Sequence, residues 1–66
     1  MRIVLNGEER ECQDGWTLAD LVNDLGLTHK RIAAEVNRDI IPRTEYDQQR
    51  LQADDVVEVV NFVGGG

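Results

Sequence analysis

Val56-Val57-Glu58-Val59-Val60-Asn61-Phe62-Val63-Gly64-Gly65-Gly66 closes the chain and decides how the rest is read. Val56 to Val63 is the most β-prone segment, rich in β-branched residues. Its charged residue sets the phase. Glu58 belongs in water, so Val57 and Val59 point inward, and Val60 and Phe62 share the outer face with Glu58. Three glycines follow directly, without a polar spacer.

Working back from that strand, Ala53-Asp54-Asp55 is a turn. At the other end, Ile3 and Leu5 alternate with Arg2 and Val4, the period of a half-buried strand. Asn6-Gly7 is a two-residue hairpin signal, because both residues tolerate positive φ. It pairs Leu5 with Glu8, Ile3 with Arg10, Arg2 with Glu11 and Met1 with Cys12, placing Cys12 towards the core. Asp14-Gly15 ends the hairpin. Thr17 then reads as a helix N-cap, with Asp20 three residues on as a partial capping box and Trp16 and Leu21 as a hydrophobic staple. Leu18, Leu21, Val22 and Leu25 form one apolar face, Asp20, Asn23 and Asp24 the opposite one, and Gly26 stops the helix. Thr28-His29-Lys30-Arg31 is a basic connector. Ile32, Ala34 and Val36 mark a third strand, Asn37-Arg38-Asp39 a turn, and Ile40-Ile41 a short fourth strand halted by Pro42. Thr44 to Gln49 holds at most one helical turn, with Tyr46 and Leu51 contacting the core.

The order β-β-α-β-β-β gives an α+β domain, a mixed sheet of about five strands packed on one main helix. Sixty-six residues make one domain, 1–66, with a flexible tail at 64–66. A chain this short buries only about 60% of its surface, so its core is thin and has little room for an enclosed active site. If the last strand lies beside the first and parallel to it, the arrangement is a ubiquitin-like β-grasp.

Thirteen acids against seven Lys and Arg leave a formal charge of −6. That opposes non-specific nucleic-acid binding, which needs cations to displace phosphate counterions. It suits solubility and steering towards a basic surface. No run of about 18 apolar residues is present to span a membrane, and the apolar opening Met1–Leu5 is too short for a signal-peptide core, so a cytoplasmic location is expected. Cys12 is the only cysteine and His29 the only histidine. They exclude an internal disulfide and give no basis for a structural zinc site. A Cys12–His29 catalytic pair has no third feature to support it. The acids lie on turns and outer faces. No paired carboxylates, phosphate loop or Ser-His-Asp arrangement stands out, so the chain is expected not to be an enzyme.

Glycine-rich ends are often frayed termini or cloning remnants. Here the tail follows the last strand of a coherent fold. Glycine has no Cβ, so Gly64 and Gly65 can pass a channel that side chains would block. Three extended residues reach roughly 10 Å. Ordering them costs on the order of 1–2 kcal/mol each, which contacts elsewhere must offset. Glu58, Val60 and Phe62, beside the tail, are the expected partner-binding surface, since an exposed apolar patch marks an interaction site. The reacting group is the carboxyl of Gly66. A carboxylate is a poor acyl donor until a partner converts it to an acyl-adenylate; sulfur attack then yields a thiocarboxylate.

Across essentially its whole length the sequence resembles the ThiS family of sulfur carriers. The residues that carry this are Val36-Asn37-Arg38-Asp39-Ile40-Ile41-Pro42-Arg43, the Ala53-Asp54-Asp55-Val56-Val57 turn into strand, and the Asn61-Phe62-Val63-Gly64-Gly65-Gly66 ending, with the similar helix entry Asp14-Gly15-Trp16-Thr17-Leu18. Trp16 is larger than the small or polar residue often found there. The resemblance implies the β-grasp fold and sulfur donation for the thiazole of thiamin from a Gly66 thiocarboxylate. It implies three partners: a ThiF-like adenylyltransferase that uses ATP, thiazole synthase, and a sulfur donor such as a cysteine desulfurase. No cofactor is expected on this chain. Three alternatives share the fold or the ending: a molybdopterin-synthase small-subunit-like carrier, a ubiquitin-like modifier of lysines, and an interaction domain with an inert tail. The first is usually longer, with a proline-containing stretch before its glycines, whereas Pro42 is the only proline here.

Overall fold

In the computed structural model, which describes residues 1–62, Asn6 and Gly7 take φ of 50° and 83°. Positive φ at both positions matches the right-handed twist of the strands they join. β1 (Arg2–Leu5) and β2 (Glu8–Glu11) pair antiparallel with Arg2 facing Glu11 and Leu5 facing Glu8, as the sequence implies. Met1 lies outside β1, yet the pairing reaches it. Its amino group donates to the Cys12 carbonyl at 2.7 Å, and the Cys12 N–H donates to the Met1 carbonyl at 2.8 Å.

The helix, α1, spans Leu18–Asp24. Seven residues are too few for a stable helix in isolation; its ends and its buried face hold it. The capping box is complete: the Asp20 N–H donates to Thr17 Oγ1 at 3.2 Å, and the Thr17 N–H donates to the Asp20 carboxylate at 2.9 Å. The Leu18 and Ala19 N–H groups donate to the carbonyls of Gln49 and Tyr46, so the segment before the last strand caps the same helix end. At the other end Gly26 takes φ 75°. Gly26 N–H donates to the Asn23 carbonyl and Leu27 N–H to the Val22 carbonyl, a Schellman motif.

β3 (Ile32–Val36), β4 (Asp39–Ile41) and β5 (Val56–Asn61) complete one five-stranded sheet in the order β2-β1-β5-β3-β4. β5 is central. It runs parallel to β1 (Val4 with Val56, Leu5 with Val57) and antiparallel to β3 (Ile32 with Asn61 through Val36 with Val57). This is the β-grasp connectivity. Leu18, Leu21 and Val22 of the helix join Ile3, Ala34, Val36, Val57 and Val59 of the sheet in one core, closed by Tyr46 and Leu51. The valine phase is as read: Val57 and Val59 are buried, while Glu58 and Val60 are exposed.

Three boundaries differ. Asp39 begins β4 rather than ending the turn, because Asn37 and Arg38 alone make it, with φ of 52° and 74°. The polar stretch after Pro42 forms a 3-10 helix at Arg43–Glu45, one residue earlier than expected. β5 ends at Asn61, not Val63. Phe62 has left the strand, although its N–H still donates to the Arg31 carbonyl at 2.8 Å. Val63 and the tail Gly64, Gly65 and Gly66 lie outside the described residues.

Candidate functional site

The site is built around the exit of β5. β1 turns back at Asn6, four residues before β5 reaches Phe62's level, and the Asn6 side chain takes its place. Its amide donates to the Val59 carbonyl at 3.2 Å, and the Val59 N–H donates to Asn6 Oδ1 at 2.9 Å. A side-chain amide thus continues the ladder that the backbone leaves, and satisfies strand groups that would otherwise lack partners. On the other side β3 pairs as far as Asn61, and the connector before it receives the Phe62 N–H.

The Asn37-to-Arg43 stretch frames both ends of β5. At the entry, the Asn37 N–H donates to the Val56 carbonyl at 2.7 Å, and the Val56 N–H donates to Asn37 Oδ1 at 2.9 Å. The Asn37 amide also donates to Asp55 Oδ1 at 3.0 Å. Asp55 is buried, and its other oxygen accepts from the Gln52 N–H at 2.8 Å. At the exit, the Arg43 guanidinium donates to the Lys30 carbonyl at 2.6 Å and to the Thr28 carbonyl. Those carbonyls belong to the connector that ends at Arg31, the partner of Phe62. The partners of Asn37 and Arg43 lie 13 or more positions away along the chain, so the framing role is not written in the stretch itself.

Among the described residues the large exposed apolar side chains are Ile40 (75% exposed), Val56 (44%), Val60 (53%) and Phe62 (57%). They share one side of the sheet. Val56, Val60 and Phe62 alternate with the buried Val57 and Val59. Ile40 faces Glu35, and Glu35 faces Glu58, so all three project from that side too. Glu58, Val60 and Phe62 were expected there. Ile40, Val56 and Glu35 were missed. Strand alternation was enough to find Val56; Ile40 needed the register of a three-residue strand that its own sequence does not phase. The Gly66 carboxyl and the passage residues Gly64 and Gly65 lie beyond the described residues, so their placement rests on sequence.

The remaining candidates are quiet. Cys12 is buried, and burial pushes its thiol above the ordinary 9.0. A thiol held neutral is a poor nucleophile. His29 is exposed in the connector. Among the described residues no three His, Cys, Asp or Glu side chains group as a metal site, and no helix is long and apolar enough to cross a membrane.

The chain is similar to known proteins over its full length. It is 38% identical to the sulfur carrier protein ThiS of Bacillus subtilis, covering 94% of this chain and 96% of that one. It is 42% identical over all its residues to a thiazole synthase of Magnetococcus marinus and 38% identical to one of Paramagnetospirillum magneticum, but spans only 20% of either protein's length. The crystal structure of the thiamine biosynthesis protein ThiS from Geobacter metallireducens superposes with a TM-score of 0.84 at 23% identity, covering all of both chains. That likeness establishes the shared fold. The ThiS family model matches residues 3–66, and with the fold, the framed exit strand and the glycine ending it places this chain in the ThiS family.

Proposed function

We propose that this chain carries sulfur for thiamin biosynthesis on the carboxyl group of Gly66, as a cytoplasmic carrier and not as an enzyme. The observation that carries the reading is a last strand framed by hydrogen bonds and bearing exposed apolar side chains, which the sequence continues into Gly64-Gly65-Gly66, in a chain of the ThiS family. In a ThiF-like adenylyltransferase the carboxylate attacks the α-phosphorus of ATP, forming the acyl-adenylate and releasing pyrophosphate. The terminal sulfur of a persulfide on a donor such as a cysteine desulfurase attacks the acyl carbon and expels AMP. A thiol then reduces the resulting acyl disulfide, leaving a thiocarboxylate on Gly66 and a disulfide on the donor side. The nucleophilic sulfur then passes to thiazole synthase for thiazole formation. The thiazole synthases that match this whole chain over a fifth of their length support that last pairing: a similar stretch forms part of their own polypeptide. Cofactor chemistry resides with the partners.

Incubation with the adenylyltransferase, ATP and the sulfur donor is expected to raise the intact mass by the exchange of one oxygen for one sulfur. An unchanged mass with a demonstrably active enzyme refutes the reading. Deleting Gly66 is expected to abolish that product and the rescue of a thiamin auxotroph, with the melting temperature unaltered. Gly66 found in isopeptide linkage to lysines would instead identify a protein modifier.

A further inference from the structure

We propose that the outer face of the sheet receives an arginine side chain of the adenylyltransferase, seated between Glu35 and Glu58 inside a rim of Ile40, Val60 and Phe62. The inference rests on the carrier reading above and adds what the partner must bring. Glu35 and Glu58 are directly opposed across the β3–β5 pair. Like charges in that relation destabilise a sheet. Neither carboxylate forms a salt bridge or a side-chain hydrogen bond among the described residues, whereas Glu9, Glu11, Asp14 and Asp24 on the β2 side all pair with cations. Ile40 sits beside Glu35 on β4. Val60 follows Glu58 by one outward step on β5, opposite Ala33.

The geometry therefore fixes a requirement. A surface broad enough to cover Ile40 on one side and Val60 with Phe62 on the other also covers the two carboxylates between them. Ionised carboxylates removed from water without a counter-charge oppose association strongly. The partner must supply a cation at that point. Two carboxylates side by side offer more acceptors than one ammonium uses well, and the planar guanidinium presents five donors able to bridge both. The two charges belong to a chain of net charge −6, a balance that steers a basic surface towards it. The apolar rim excludes water from the contact, and the opposed charges remain a liability only while the face is empty.

Glu35→Gln, Glu58→Gln and the double variant test this by two readouts in the same samples. Direct calorimetric binding of the chain to the adenylyltransferase is measured at low and high salt, and urea unfolding is measured on the free chain. Each single variant is expected to weaken binding roughly tenfold and flatten its salt dependence, while the double variant unfolds at a higher urea concentration than the wild type. A merely structural role would move binding and stability in the same direction. Binding and salt dependence unchanged in the double variant overturn the proposal, as does absence of wild-type binding. Wild-type binding without adenylation sinks the carrier reading instead and leaves the two glutamates to be judged on affinity alone.

Discussion

At the residue scale, two asparagines do work usually assigned to backbone. Asn6 and Asn37 both take positive φ in turns, and both aim their amides at β5, one at its middle and one at its entry. Asn tolerates the left-handed region better than other non-glycine residues, so one residue serves as both turn former and clamp. Replacing Asn37 with Ala leaves the Val56 N–H and the buried Asp55 carboxylate short of partners. An unfolding free energy lower by about 1–3 kcal/mol is expected from urea denaturation. The turn roles of both residues were legible, since Asn-Gly and Asn-Arg-Asp are local signals. The clamps were not. Asn6 meets Val59 at a separation of 53 residues and Asn37 meets Val56 at 19, distances across which a single sequence carries no hydrogen-bonding record.

At the scale of elements, α1 is the piece most fully written in its own sequence. Capping box, apolar face and Gly26 stop all stand where the residues put them, because each acts within one turn of itself. Thr17→Ala is expected to lower stability by about 1 kcal/mol in the same assay. The β3–β4 turn is less well matched. Arg38 holds φ 74° in a turn that prefers Asn-Gly. Arg38→Gly is expected to relieve that strain and raise the unfolding midpoint, by up to about 1 kcal/mol in free energy. β4 shows where local reading stops. Ile40 and Ile41 are chemically alike, yet one is three-quarters exposed and the other packs on the core. Only pairing with β3 tells them apart, and with that pairing comes the Ile40 side of the proposed docking face.

For the whole molecule, the decisive relation is the parallel pairing of the first and last strands. The sequence stated it only as a condition, because Leu5 and its partner Val57 are 52 positions apart and no periodicity reports on such closure. Cys12 and Tyr46 lie buried in the core, and burial raises both above their ordinary values of 9.0 and 10.0. The unfolded chain therefore releases these protons first. Their contribution is complete below about pH 9 and is lost as the pH rises through the folded values, so stability should decline into the alkaline range. Cys12→Ala should flatten the earlier part of that decline in urea titrations at successive pH. The offset of the two parallel strands has one more result. Val4 lies level with Val56, so Met1 stands three residues below that line and Phe62 six above it. At about 3.3 Å per residue the two poles are roughly 30 Å apart. A fluorophore, an affinity handle or a whole fused protein joined ahead of Met1 would sit at the far pole from the exit strand, leaving the surroundings of Phe62 clear.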